Sequence, residues 1–287
     1  MDPIPVALGA ISVYLYALGG RRASLRSVTA TRRRRSPERL LRSGCFYAGV
    51  VAVVVALEPP VDHLSQRFFF VHMLQHLLLM MVGAPLIVLG APWSRSWRPL
   101  PLGVRRPVAR TVALSRAFGP VRAAAHWMAS PVPAFVLFTA DLAAWHVPQA
   151  YDLTLTDPAV HYVEHVSFLV LGIVFWAQIL DSPPLRSHLD YPGRVAFAVL
   201  GGAASWILAV VLALAPHPLY SYAGHGHISA LTDQQLAGGM MWGPGSVPLA
   251  VYVFYGLYRW LGEDEPGARR GRRSGRRRLE HAWPTRS

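Results

Sequence analysis

Phe68-Phe-Phe-Val-His72-Met-Leu-Gln75-His76-Leu-Leu-Leu-Met80-Met81-Val-Gly-Ala84-Pro85-Leu-Ile-Val-Leu89 runs without a single Asp, Glu, Lys or Arg. A helix rises 1.5 Å per residue, so about 20 apolar residues cross the ~30 Å hydrocarbon layer of a bilayer. This stretch is long enough, and lipid forces its backbone polar groups to pair within the segment, so it reads as a spanning helix. Working outward, six more apolar runs are delimited to within a few residues: Ile4–Gly20, Leu40–Leu57, Val132–His146, Val160–Leu180, Val195–Ala215 and Leu236–Leu261. The first could pass for a signal peptide. No basic residue precedes it and Arg21 and Arg22 follow it, so it reads as the first span. The expectation is an all-α polytopic membrane protein. Residues 1–265 form a bundle of about seven transmembrane helices, and residues 266–287 a basic tail, disordered and held near lipid headgroups by charge.

The charge supports a membrane reading. The chain has 287 residues, 53% of them hydrophobic, with a formal net charge of +13. Every basic residue is Arg, and the arginines cluster between or after the apolar runs instead of lining one amphipathic face, which argues against nucleic acid as a partner. Arg21, Arg22, Arg26, Arg32 to Arg35, Arg39 and Arg42 lie between the first and second runs. Arg95, Arg98, Arg105, Arg106, Arg110, Arg116 and Arg122 follow the third, and Arg269 to Arg278 follow the last. These segments belong inside, which puts the N-terminus outside and the C-terminus inside. The opposite loops carry Glu58, Asp62, Asp152, Asp157 and Asp233 against Arg67 alone, and the loop of Asp181, Arg186, Asp190 and Arg194 is neutral. Arg105 to Phe118 suits either a helix on the inner leaflet or a plain solvated loop. Cys45 is the only cysteine, which excludes an internal disulfide or a cysteine-cluster metal site within one chain.

Threaded this way, nine of the 12 histidines fall on the outer side: His63, His72, His76, His146, His161, His165, His217, His225 and His227. His72, His76 and Met80 are spaced four apart and form one stripe of the third span. His161, Glu164 and His165 repeat the device in the outer turn of the fifth. Imidazoles four apart on a helix can reach one ion, and an intramembrane ionisable group without a partner is costly. His72, His76, His161 and His165 are therefore the candidate metal ligands. Glu164, His146, His217, His225, His227, Asp233, Met80 and Met241 are auxiliary candidates for metal or proton handling. Plainer readings stand beside these. A lone His near a helix end, such as His63, His146 or His217, is ordinarily an interfacial side chain bonded to a carbonyl or water, and Met is an ordinary gap filler. Asp233 sits where the last span begins and is placed to cap that helix. Asp141 and Glu164 are the two carboxylates within spans, and either can compensate a bound cation; Asp141 can instead bond a neighbouring helix.

Imidazole suits copper, zinc, iron and nickel. Thioethers and the lack of an oxygen-rich cage turn the preference to copper, particularly Cu(I), with zinc second. His161-x-x-Glu164-His165 also matches the inverted zinc-protease pattern, with Glu as general base, and histidines facing each other across helices could ligate haem.

Several blocks carry a family resemblance: His72-Met-Leu-Gln75-His76-Leu-Leu-Leu-Met80-Met81 through Ala84-Pro85 to Pro92, Trp145-His146-Val-Pro-Gln-Ala-Tyr151, His161-Tyr-Val-Glu164-His165, and Asp233-Gln-Gln235-Leu-Ala-Gly through Met241-Trp242. In order and spacing the chain resembles the multi-spanning CtaG-type cytochrome c oxidase assembly factors. The resemblance implies a seven-helix protein of the bacterial plasma membrane, without an enzymatic role of its own, that handles copper for a haem-copper cytochrome c oxidase. Its partners would be the oxidase subunits and membrane lipids. The same label is used for an unrelated one-span copper chaperone that works through cysteines, and that chemistry does not carry over to this chain. The working expectation is that copper gathers near His217, His225 and His227, is held by the paired histidines, and passes laterally to the oxidase.

Overall fold

The computed structural model describes residues 3–25, 37–183 and 187–263. The expected basic tail at 266–287, and Arg26 and Arg32 to Arg35 of the first loop, lie outside the described residues. Within them the protein is helical, without a β-strand. In chain order the helices are α1 (Pro3–Leu25), α2 (Pro37–Leu57), α3 (Val61–Ser65), α4 (Phe69–Leu77), α5 (Ala84–Gly90), α6 (Pro92–Trp97), α7 (Leu102–Leu114), α8 (Gly119–Met128), α9 (Pro131–Trp145), α10 (Pro148–Thr156), α11 (Pro158–Ile179), α12 (Tyr191–Leu214), α13 (Ala230–Trp242) and α14 (Val247–Glu263). Five segments are long and apolar enough to cross a membrane: Pro3–Arg21, Pro37–Leu57, Phe69–Gly90, Pro158–Ile179 and Tyr191–Leu214. A sixth arises if Arg116–Met128 and Pro131–Trp145, bent by 84°, count as one span.

The expected seventh span is not one helix. Gly243 ends α13, a 3-10 turn follows at Pro244–Ser246, and α14 starts afresh. Proline lacks the amide that a continuing helix needs, and neither half reaches 18 residues. Both halves still run antiparallel to α12: the Gln234 amide donates to the Leu212 carbonyl at 3.1 Å, and Gly202 packs near Leu249. The third expected span is also irregular, since a π turn at Leu78–Gly83 separates α4 from α5. The Ala84 amide bonds back to the Leu79 carbonyl, and Pro85 offers no amide at all. Arg105 to Phe118 takes the helical reading as most of α7 and a 3-10 turn, with no buried residue. Helices α3, α6 and α10 were not expected from hydropathy, which is blind to pieces of five to nine residues.

The core gathers where α4, α5, α9, α11 and α12 meet, around Phe138, Phe168, Phe175 and Trp176. On α11 the buried residues Glu164, His165, Phe168, Gly172, Phe175, Trp176 and Ile179 form one face, while Val163, Val166 and Val170 are exposed. A helix apolar on both faces is what a lipid-facing span requires. His76 packs on Phe168 at 4.6 Å between ring centroids, Gly172 lies against Met80, and the Trp176 indole donates to the Met80 carbonyl at 2.9 Å. Numbers rise together on both sides, so α11 runs parallel to the α4–α5 segment. Helix α9 runs against it, as the Trp145–Ser167 and Phe138–Phe175 contacts show. Helices α4 and α11 thus start at one end of the bundle, and Arg95, bonded to the Tyr16 carbonyl, lies at the other.

Candidate metal centre

Both helices that carry paired histidines have well-made N-termini. Asp157 caps α11 by accepting from the Ala159 amide at 2.8 Å, and Pro158 occupies the first turn, where its missing amide costs nothing. Helix α4 has no local side-chain cap, and Asp233 supplies one: its carboxylate accepts from the Phe69 and Phe70 amides, each at 2.8 Å. The expectation that Asp233 caps its own helix is corrected here. Ser229 does that, accepting from the Thr232 amide at 3.1 Å. Asp233 is fully buried with both oxygens engaged by the α4 terminus, because those unpaired amides are the stronger attraction for its charge.

In the first two turns of these helices His72, His76, Glu164 and His165 converge. All four are buried, and one ligand atom from each lies within 4.8 Å of the others. His72 Nε2 stands 3.4 Å from one Glu164 oxygen and His76 Nε2 stands 3.5 Å from the other. A charge-assisted hydrogen bond is shorter, about 2.7–2.9 Å. Ligands about 2.0–2.2 Å from a tetrahedral ion stand about 3.3–3.5 Å from each other; the two His–Glu164 distances match this, while the whole set spreads to as much as 4.8 Å. The His72, His76 and His165 Nε2 atoms and both Glu164 oxygens are buried without a hydrogen-bond partner. A carboxylate out of water is costly unless a positive charge compensates it. Among the described residues Glu164 forms ion pairs with His72 and His76 alone, so a cation placed between these residues would compensate its charge.

Hydrogen bonding fixes one candidate ligand more closely. The Tyr222 hydroxyl gives its proton to the Ser65 carbonyl at 2.9 Å, so its oxygen can only accept from its other two neighbours. These are the Tyr151 hydroxyl at 3.1 Å and His72 Nδ1 at 3.2 Å. His72 therefore carries its proton on Nδ1 and turns Nε2 towards Glu164, the outer-sphere pattern that orients a ligating imidazole. Burial pushes the Tyr151, Tyr220 and Tyr222 phenols well above their ordinary range, so they remain protonated donors. The segment carrying Tyr220 and Tyr222 is fastened by the Ser221 amide and hydroxyl on Asp152, at 3.0 and 2.8 Å, and by the Tyr220 hydroxyl on the His146 carbonyl at 3.0 Å.

The predicted residues separate into groups. His161 lies at the rim, half-buried, its ring centroid 4.1 Å from that of His165 and 5.1 Å from that of His72; it is outside the four-residue set, yet its Nε2 is also buried without a hydrogen-bond partner among the described residues. His146 donates from Nδ1 to the Leu142 carbonyl at 2.8 Å, and its Nε2 is buried without a partner. Met80 and Met241 line a small cavity beside His76. His63, His217, His225 and His227 are exposed, and His225 leans on Phe68 at 5.5 Å between rings. Asp141 accepts from the Trp145 indole at 3.0 Å within its own helix, and the same indole approaches Ser167 of α11 at 2.9 Å. Sequence reasoning missed Tyr151 and Tyr222. Tyr222 sits in a tight turn, its amide bonded to the Tyr220 carbonyl at 2.9 Å, and Tyr151 in a short helix, and neither leaves a periodic signal in the sequence.

The family model for the cytochrome c oxidase caa3 assembly factor, Caa3_CtaG, matches residues 15–263, a stretch that includes all four convergent residues and Tyr222. The chain belongs to this family. The Caa3_CtaG resemblance read from the motif blocks is thereby confirmed. Two curated relatives, uncharacterized proteins of Mycobacterium bovis and Mycobacterium tuberculosis, are each 27% identical over 276 residues, covering 94% of this chain and 40% of their own length. A third, an uncharacterized protein of Mycobacterium leprae, is 24% identical over 226 residues, covering 76% of this chain and 34% of its own. This Caa3_CtaG chain thus spans about two fifths of the length of the first two relatives. No solved structure matches it.

Proposed function

We propose that this assembly factor binds copper through His72, His76, His165 and Glu164 at the outer face of the bacterial plasma membrane and supplies it to a haem-copper cytochrome c oxidase. The observation that carries the reading is the buried His72–Glu164–His76 geometry, 3.4 and 3.5 Å, with His165 completing a set within 4.8 Å. Arginine-rich segments at the opposite end of the bundle support an outward-facing centre by the positive-inside rule. His161 stands at the rim, where an arriving ion meets it first. The exposed His217, His225 and His227 are suited to transient capture.

Zinc shares the same donor chemistry and is separated by measurement. Haem is disfavoured because the rings pack on one another, with centroids 4.4 Å apart for His72–His76 and 5.7 Å for His76–His165, leaving no porphyrin-sized gap between them. The protease reading needs Glu164 beside a water, whereas its side chain is fully buried among imidazoles.

The test is elemental analysis of the purified chain after loading with Cu(I) or Zn(II). His72→Ala with His165→Ala is expected to remove about one metal equivalent. Cells carrying that variant should assemble an oxidase short of copper. Unchanged metal content in the variant would sink the proposal, and a visible Soret band in the wild type would replace it with the haem reading.

A further inference from the structure

Below the histidine and carboxylate set lies a cavity of about 20 Å³, room for about one water-sized particle. Four of the seven methionines, Met73, Met80, Met81 and Met241, line it together with His76 and His146. The rest of its wall is two leucines and Ser205, and among the described residues no carboxylate lines it. We infer that this cavity is a second metal site, selective for a soft monovalent cation such as Cu(I).

Three observations point to a built site and not to ordinary packing. On a regular α-helix Met80 and Met81 would point about 100° apart. Both lie within the π turn, and both are buried and line the cavity. That turn is held in place across the bundle, because the Trp176 indole donates to the Met80 carbonyl, which the Ala84 amide has left for Leu79. π turns of this kind are frequent at functional sites. Second, His146 is 7% exposed and locked in one tautomer by its Nδ1 bond to the Leu142 carbonyl, which leaves Nε2 as a bare, buried lone pair. An ordinary core histidine would have both nitrogens engaged. Third, apart from the Ser205 hydroxyl, the donors are thioethers and imidazoles. Such a set favours Cu(I) over divalent zinc, whose charge the site does not balance.

His76 belongs to both sites, with Nε2 facing Glu164 and its ring forming part of the cavity wall. The inference rests on the proposed function only for copper as cargo. It makes the centre a two-station device, in which a borderline outer set hands the ion to a softer inner one. No redox change is involved in the transfer.

The test uses the purified full-length chain in detergent, loaded with Cu(I) under reductant and separately with Zn(II). The wild type should bind about two equivalents of Cu(I) but about one of Zn(II). Met80→Leu, Met81→Leu and Met241→Leu together, all of similar volume, should remove one Cu(I) equivalent and leave zinc unchanged. His72→Ala with His165→Ala should instead remove the zinc. Because the methionine variant could lose its fold, X-ray absorption on selenomethionine-labelled wild type provides an independent reading: a selenium neighbour to copper is expected. Absence of that neighbour, or a Cu(I) count unchanged in a folded methionine variant, overturns the inner site while leaving the outer one standing. Zinc that survives His72→Ala with His165→Ala, alongside a persistent selenium neighbour, overturns the outer site and supports the inner one.

Discussion

Asp233 and Phe69 stand 164 positions apart, yet the Asp233 carboxylate takes the Phe69 amide at 2.8 Å and the next amide, Phe70, at 2.8 Å. The helix that presents His72 and His76 is therefore begun by a residue from the far end of the chain. Asp233→Ala would leave two amides without their acceptor, and the expected loss is about 2–3 kcal/mol. Asp233→Asn, which keeps one carbonyl acceptor, should lose about half as much. Thermal unfolding followed by helical circular dichroism checks both, and a wild-type midpoint for Asp233→Ala would contradict the assignment.

Tyr222→Phe preserves the buried ring and removes the acceptor of His72 Nδ1. Loss of such an outer-sphere partner typically weakens metal binding by about 10–100-fold. Tyr151→Phe should weaken it less, since the Tyr151 hydroxyl donates to Tyr222, and its contact with His72 is through the ring, 5.0 Å between centroids, which Phe keeps. Competition against a chelator of known affinity ranks the two variants, and equal affinities for Tyr222→Phe and wild type would remove Tyr222 from the site.

Helix α2 approaches α5 through glycine. A Cβ at Gly90 would lie 2.6 Å from the Phe46 Cβ and 2.9 Å from its Cα. Gly90→Ala should therefore destabilise by about 1–3 kcal/mol through overpacking. It touches no ligand, so metal stoichiometry in the folded protein should not change. A paired melt and metal analysis reads both quantities from one sample.

His217→Ala, His225→Ala and His227→Ala together remove exposed side chains, and stability should move by no more than about 0.5 kcal/mol. If the loop gathers ions, the variant loads more slowly from dilute copper yet reaches the same final content. Stopped-flow loading at equal total copper distinguishes this from a passive loop, for which the rates would coincide.

The helical class and the His72–His76 and Glu164–His165 contributions were legible because a 3.6-residue period fixes which side chains share a face, whatever the partner helix. His161 shares that face, but spacing says nothing of depth, and one turn of rise sets it nearer the rim than His165. Asp233 was assigned to the nearer helix because sequence offers only local caps. The broken last segment was written in Gly243-Pro244, but averaging hydropathy from Leu236 to Leu261 concealed it. The π turn needs Trp176 from another helix, and no window over residues 78–83 contains that residue.

The parallel course of α4–α5 and α11 has a consequence for biosynthesis. A ribosome delivers His72 and His76 first, Glu164 and His165 much later, and Tyr222 and Asp233 later still. An unfinished chain therefore owns imidazoles but neither their counter-charge nor their anchors. On the proposed reading, metal is held only once Tyr222 and Asp233 have been made, so a shorter nascent polypeptide lacks the full set that would hold an ion.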